Sequence, residues 1–272
     1  MIYKQNLHTH NHYCDGRGTL EEFVLQAMEF GLDTLGFSCH SYQYFSPIYT
    51  ISEENTVKYK AEIAELKKKY EGKIRLLAGL EVDMLSRPDV SGIDYTIGSS
   101  HWMKLGDDFV EFDKKIEIFQ EILDKYFDGD IWKFLEKYYG ELSKLSSHGK
   151  FDIVGHFDLV TRHCESEHPF FDRNDKRHLD LAFEAVHTIV KDIRIFEVNV
   201  GCFAYGTRNT PYPMPAIIKE IKNAGGAVII TNDAHDPTKL IGGLDRGVEI
   251  IKACGFDEVM IMTDHGFDGM KI

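Results

Sequence analysis

Residues 2–10 read Ile2-Tyr3-Lys4-Gln5-Asn6-Leu7-His8-Thr9-His10, a strand-like run that ends on two histidines. Side chains alternate faces along a strand, so residues two apart share one face, and His8 and His10 can hold one cation between them. The spacing alone says little, because a His-x-His pair also arises by chance on a surface. Its weight comes from what ends the other strands. Working outward, short apolar runs recur at Thr34–Ser38, Arg75–Leu80, Tyr95–Gly98, Asp152–Val154, Ile195–Val198 and Ala227–Ile230, with Glu258–Ile261 as a candidate eighth. Amphipathic helical patterns separate them at Thr19–Phe30, Glu53–Tyr70, Asp175–Val190, Pro213–Ala224 and Gly243–Ala253. Thr19 with Glu22 has the spacing of a capping box, and Ser52 precedes two glutamates suited to a positive helix start. Seven or eight such β-α units predict an α/β protein whose parallel sheet closes into a barrel.

Nearly every predicted strand ends on a group able to bind metal. After the first come His8, His10 and, in the loop, Asp15; after the second, His40; after the third, Glu81 with Asp83 beyond it. The fourth leads to His101, the fifth to His156 and Asp158, the sixth carries Glu197 and Asn199, and the seventh gives Asp233-Ala234-His235. A barrel gathers the carboxyl ends of its strands on one rim, where active sites of this architecture lie. Six coincidences, at the ends carrying His8 with His10, His40, Glu81, His101, His156 and Asp233 with His235, are far less frequent than one shared site. The remaining histidines serve as a control. His178 and His187 fall in helical patterns, His148 and His168 in loops and His265 in a tail, and all five read as structural or exposed. His12 and His163 lie closer to the motifs and stay open.

Composition narrows the class. The 272 residues are 43% hydrophobic and 28% charged, ordinary for a globular chain with one core. A single domain over residues 1–272 is expected, with one irregularity, an insertion at about 102–147 rich in Phe, Tyr, Asp and Lys. It reads as two helices, Lys114–Tyr126 and Asp130–Leu145, near the mouth of the site. The net charge of −13 argues against a nucleic-acid backbone as partner, though bound cations and a few arginines can reverse the local field for a small anion. No apolar run is long enough to cross a bilayer, and the first residues show no signal-peptide pattern. A cytoplasmic location is therefore expected. Five cysteines, none spaced CxxC, read as free thiols.

The order His-x-His…Asp, His, Glu, Ser-x-His, Gly-His-x-Asp, Glu-x-Asn and Asp-Ala-His resembles the polymerase and histidinol phosphatase (PHP) superfamily, over essentially the whole chain. Within it, the Ser-x-His strand, the aromatic helical insertion and the segment Gly155–Leu159 look most like PHP-type histidinol-phosphate phosphatases. The resemblance implies a distorted seven-stranded (β/α) barrel, TIM-like, binding up to three divalent metals, with Mn, Fe and Zn all compatible with His and carboxylate donors. It implies one ion held by His8, His10, Glu81 and Asp233, and a second by Glu81, His101 and His156, with Glu81 bridging. A third falls to Asp15, His40 and His235. Asn232 stands where relatives often carry serine, which is expected to change a hydrogen bond behind a ligand.

From these parts the expected reaction is hydrolysis of a small phosphomonoester, L-histidinol phosphate first, by a metal-activated water. Catalytic roles then fall to His235, Asp15 and Glu81. Arg162 and Arg208 are the expected phosphate clamp, with Arg17 a lesser candidate, and Asp158 a partner for a substrate amine. Aromatics between Trp102 and Tyr139, and Tyr205, are candidates to cover an imidazole. Two alternatives stay open here: a related phosphoesterase for a nucleotide or sugar phosphate, and a metal-dependent amidohydrolase. The latter usually adds a lysine at a strand end, and none appears.

Overall fold

The computed structural model describes residues 2–272. Its strands are β1 (Gln5–Asn6), β2 (Thr34–Phe37), β3 (Arg75–Asp83), β4 (Tyr95–Ser99), β5 (Trp102–Leu105), β6 (Asp108–Glu111), β7 (Ile153–Val154), β8 (Ile195–Asn199), β9 (Ala227–Thr231), β10 (Glu258–Thr263) and β11 (Gly266–Lys271). Seven of them form one sheet in the order β1-β2-β3-β4-β7-β8-β9, every neighbouring pair parallel. The two edges meet just beyond the regular pairing. Thr9 bridges Ala234 in parallel, with His10 N donating to Ala234 O at 2.9 Å and Ala234 N to His8 O at 3.1 Å. The nearly closed barrel is thus sealed by two motifs the sequence had marked, His8-Thr9-His10 against Asp233-Ala234-His235.

The helices are α1 (Leu20–Glu29), α2 (Glu53–Lys69), α3 (Ile116–Phe127), α4 (Ile131–Leu142), α5 (Leu145–His148), α6 (Lys176–Ile189), α7 (Gly201–Tyr205), α8 (Pro215–Asn223) and α9 (Leu244–Ala253). The cap over α1 forms as its sequence predicts: Glu22 N donates to Thr19 Oγ1, and the Glu22 carboxylate accepts from Thr19 N. Ser52 caps α2 by accepting from Asn55 N at 3.1 Å.

Inside the barrel, the lower half is apolar. Leu7, Leu77, Tyr95, Ile97, Ile153 and Ile229 form a separate cluster, all buried. Tyr95 fills it because β2 and β3 present glycine beside the ring: a Cβ on Gly36 or Gly79 would stand 2.3 Å from its atoms. Its hydroxyl donates to the Leu7 carbonyl, so the one polar atom there is satisfied.

Glu258–Ile261 differs from the expectation of an eighth barrel strand. It belongs to β10, which turns at Asp264-His265-Gly266 and pairs antiparallel with β11. Gly266 has φ +108°, which permits the tight return. Seven strands already close the barrel, so the hairpin plugs its floor instead, packing Met260, Met262 and Phe267 on the apolar cluster. His265 sits exposed in that turn rather than in a tail. The insertion also differs: before its helices come the paired strands β5 and β6, joined by Gly106-Asp107. A two-residue turn led by glycine is the sequence signal for that hairpin. Tyr138, on α4, donates to Phe157 O at 2.9 Å and fastens the insertion to the segment after β7.

Candidate metal centre and phosphate pocket

The rim opposite the hairpin carries a different interior. Glu81, on β3 and 1% exposed, is its centre. Its Oε2 lies 2.8 Å from His40 Nδ1, 3.4 Å from His8 Nε2 and 3.5 Å from His10 Nε2, while Oε1 lies 2.9 Å from His156 Nε2 and 3.5 Å from His101 Nε2. Asp233 lies across from it, its Oδ1 3.0 Å from His10 Nε2 and 3.5 Å from His8 Nε2. Asp15 faces His235 at 3.4 Å, His10 at 3.6 Å and His40 at 3.8 Å. Every residue expected as a metal ligand therefore stands in one connected cluster.

These groups do not satisfy one another. His8 Nε2, His10 Nε2, Glu81 Oε2, His101 Nδ1, His156 Nδ1 and Asp233 Oδ1 are buried without a hydrogen-bond partner. Buried polar atoms rarely go unpaired, and leaving one so costs about 1–3 kcal/mol. Four of them, His8 Nε2, His10 Nε2, Glu81 Oε2 and Asp233 Oδ1, stand at imidazole–carboxylate distances of 3.0 to 3.5 Å with poor mutual geometry, as ligands do when aimed at points between them. Ligating atoms fall within 4.8 Å of one another in three sets: His8, His10 and Asp233; His40, Glu81 and His101; and His10, Asp15, His40 and His235. His10 and His40 are thus each shared, and His156 joins through Glu81.

The charges agree. Burial would depress the His8 pKa, yet Glu197, Asp233 and Glu81 hold it well above the usual imidazole value. Burial opposes protonation at His10 and His235 as well, and neighbouring acids such as Asp233 and Asp15 still lift both to about 9. Glu81 and Asp233 are pulled well below the carboxylate range by these histidines against the same penalty. Positive charge is wanted between the groups, and divalent cations would supply it in place of protons.

Groups behind the cluster fix it. His8 Nδ1 lies 2.8 Å from Glu197 Oε2, and that carboxylate also accepts from Thr231 Oγ1 and His156 N. Asp83 accepts from His101 N at 2.8 Å. Asn232 takes the Asn6 amide on its Oδ1 and donates to Lys239 O and Gly242 O, bracing the loop after β9. Asp233 itself adopts φ +51°, a sparsely populated conformation that aspartate tolerates and that aims its carboxylate at the cluster. Beside His10, Cys14 Sγ and Cys39 Sγ stand 2.6 Å apart as free thiols.

The cluster forms one wall of a cleft of about 620 Å³. Arg208 and Arg162 line it too. Arg208 is 7% exposed, stacks 4.0 Å over the Tyr212 ring and donates to Thr161 Oγ1 at 3.1 Å. Its Nε and Nη1 are buried without partners. Arg162 is half-exposed and paired with Asp113. Two expectations are corrected. Asp158, expected to meet a substrate amine, is fully buried and does not line the cleft; its carboxylate accepts from Met214 N, and burial raises its pKa to about 6. Arg17 is exposed and also outside the cleft, meeting the site only through its backbone N–H, which donates to His235 O at 2.7 Å.

Tyr205 lines the cleft, accepting from His235 N at 3.0 Å. The insertion contributes Glu111 and Asp113 rather than a covering aromatic, and Tyr49 and Tyr212 supply rings. His163 also reaches the cleft, whereas His12 is exposed and lies tilted against the Tyr13 ring. The control histidines stay clear of it: His178 is held by Tyr139, His187 by Glu220 and His148 by Arg87. Glu111, Asp113, Tyr49 and Tyr212 escaped the sequence reading because none ends a barrel strand. Glu197 lies within β8 and was marked from the sequence with Asn199.

A family model described as PHP domain matches residues 6–200. The chain belongs to the PHP domain family. This PHP protein is 25% identical over 282 residues to a histidinol-phosphatase of Lactococcus lactis subsp. lactis, covering 99% of this chain and 96% of that one. It is 26% identical over 186 residues to a histidinol-phosphatase of Bacillus subtilis, covering 59% and 68%. Its fold matches the crystal structure of the Lactococcus lactis histidinol phosphate phosphatase, complexed with zinc, L-histidinol and phosphate. The TM-score is 0.74 at 20% identity, over 98% of this chain and all of the other.

Proposed function

We propose that this PHP protein is a metal-dependent phosphomonoester hydrolase whose substrate is L-histidinol phosphate, releasing L-histidinol and phosphate for histidine biosynthesis. The observation that carries the reading is the pairing of unsatisfied groups. Four orphaned ligand atoms, His8 Nε2, His10 Nε2, Glu81 Oε2 and Asp233 Oδ1, crowd together where Asp233 meets the cleft, and the same cleft is lined by Arg208, whose Nε and Nη1 are orphaned too. One set suits divalent cations and the other an oxyanion. The names of the relatives supply the particular ester. Weighing against an amidohydrolase, no lysine lines the cleft among the described residues.

In this reading residues 1–272 act as one catalytic unit, placed in the cytoplasm. His8, His10, Glu81, Asp233, His101, His156, Asp15, His40 and His235 would hold up to three divalent ions, with Mn, Fe and Zn suited to the donors. Bound there, such ions neutralise phosphoryl oxygens and bring the pKa of a water from about 15.7 to near 7. The chain supplies position. Arg208, pinned by Tyr212 and Thr161, offers its unpartnered Nε and Nη1 to phosphate oxygens. Arg162 reaches the same anion from the rim. Asp15 and His235, each 33% exposed, are the open side of the cluster, where the ester oxygen departs. Tyr205 braces His235 through its backbone N–H.

The test is phosphate release from L-histidinol phosphate against nucleotide and sugar phosphates, with Mn added and then with EDTA. The reading expects histidinol phosphate to be turned over much faster than the rest, and EDTA to abolish it. Faster turnover of another phosphate would retain the metal chemistry and overturn the substrate. Hydrolysis that survives complete metal removal would overturn both.

A further inference from the structure

Three carboxylates besides the metal cluster line the cleft: Glu111, Asp113 and Glu165. Two of them are committed elsewhere. Glu111 is paired with Lys114, three residues along its own segment. Glu165 is paired with Arg173 and accepts from Asn209 N at 2.7 Å. Asp113 differs, because its ion-pair partner is Arg162, itself a cleft residue free to meet an anion.

Both members of that pair are held in place by their neighbours. Phe112 N donates to His101 O at 3.1 Å, so Asp113 follows directly on a bond to the strand end that carries a cluster histidine. His163 Nε2 lies 2.9 Å from Lys114 O, so Arg162 and Asp113 are clasped from both sides while their side chains reach the cleft. An ion pair that solvent still reaches contributes little to stability and exchanges readily for stronger partners. A phosphate oxygen is such a partner for arginine, and an ammonium group is such a partner for aspartate.

We infer that Asp113 is a specificity-determining residue for phosphate esters carrying a cationic group: the arriving ester replaces the Asp113–Arg162 pair with two new ones, phosphate to Arg162 and ammonium to Asp113. The inference rests on the hydrolase reading above and names what that site selects. An ester lacking the ammonium breaks the pair without repaying Asp113, which leaves a carboxylate uncompensated beside an incoming anion. The site thus discriminates by repulsion as well as attraction.

The experiment compares wild type with Asp113→Asn on L-histidinol phosphate and on its deamino analogue, 3-(imidazol-4-yl)propyl phosphate, at a pH where the imidazole is neutral. The affinity of each protein for inorganic phosphate is measured by calorimetry alongside. In Asp113→Asn the KM for histidinol phosphate should rise on the order of tenfold, the scale of one lost charge-assisted bond. The KM for the deamino ester should fall, and phosphate should bind several-fold tighter because Arg162 is released. A structural role would instead weaken all three, and that result, or an equal rise for both esters, overturns the inference. Should wild type hydrolyse neither ester, the hydrolase reading falls by itself. The inference is then decided on binding alone: with phosphate present, L-histidinol must bind wild type better than the deamino alcohol, and Asp113→Asn must remove the difference while tightening phosphate. Any other binding pattern overturns it.

Discussion

The two ends of the barrel are made by the same strands and are both buried, yet they are built on opposite principles. At the floor, Leu7, Leu77, Tyr95, Ile97, Ile153 and Ile229 interdigitate, the hairpin β10–β11 seals them, and the one hydroxyl is satisfied. At the rim, one and three residues along from Leu7 or four from Leu77, buried side chains are histidine and glutamate with atoms left unpaired. Stability resides at the floor, and the cost of the unpaired groups is tolerated at the rim because ligands can relieve it.

Changing Glu81 to Gln should have the largest effect on that contrast. It removes the carboxylate that five imidazoles face, and with it both the cation sites and the balance of charge. Phosphatase activity is expected to fall roughly a thousand-fold or more, several kcal/mol of transition-state stabilisation. The metal-free fold should keep its circular dichroism spectrum, because the floor is untouched. Leu77→Ala is the reverse experiment. It opens a cavity in the floor and should cost about 2–5 kcal/mol in denaturant unfolding, with metal content per folded chain unchanged. If the floor variant lost metal as readily as the rim variant, the two regions would not be separable as argued.

A third substitution probes the layer between them. Glu197→Gln keeps the shape but weakens the grip on His8 Nδ1 and the His156 backbone, and groups in that position typically tune metal affinity about 10–100-fold. Competition with a fluorescent chelator would read the change, and an unaltered affinity would leave Glu197 a purely structural acid. The smallest effect belongs to the cleft's far wall. Burial would raise the Glu165 pKa, but Thr210, Asn209 N and Arg173 together pull it to about 2. A depressed carboxylate adds stability that is complete above its unfolded value, near 4.5, and is lost as pH falls towards 2. Solvent reaches this pair, so Glu165→Gln should destabilise at neutral pH by at most about 1 kcal/mol. Denaturant melts should show that gap narrowing between pH 5 and 2.5, and a gap that widened there would reverse the sign.

The rim was legible in the sequence because its ligands sit at strand ends, and strand ends are read from hydrophobic pattern alone. His8 with His10, and Asp233 with His235, announced themselves by their period of two, and they proved to be the facing halves of the barrel's closing seam. The floor was less legible. Glu258–Ile261 has the apolar pattern of any buried strand, and only the return through Gly266 assigns it to a plug instead of the barrel wall. Least legible were side-chain directions in loops. Asp158 follows His156 in a motif rich in ligands, yet its carboxylate turns inward to Met214 N, and Asp113, in no motif, faces the cleft. Sequence spacing fixes direction on strands and helices, where the backbone is periodic, and leaves it free in loops.

The central claim is that the unpaired rim atoms form a multinuclear cation site. Its most direct test is metal content per chain by plasma mass spectrometry, on protein stripped with chelator and reloaded with Mn or Zn, for wild type and Glu81→Gln side by side. The account predicts two to three tightly held ions in the wild type and loss of most of them in the variant. Wild-type protein that retains less than one ion per chain, or a variant that retains as many as wild type, would contradict it.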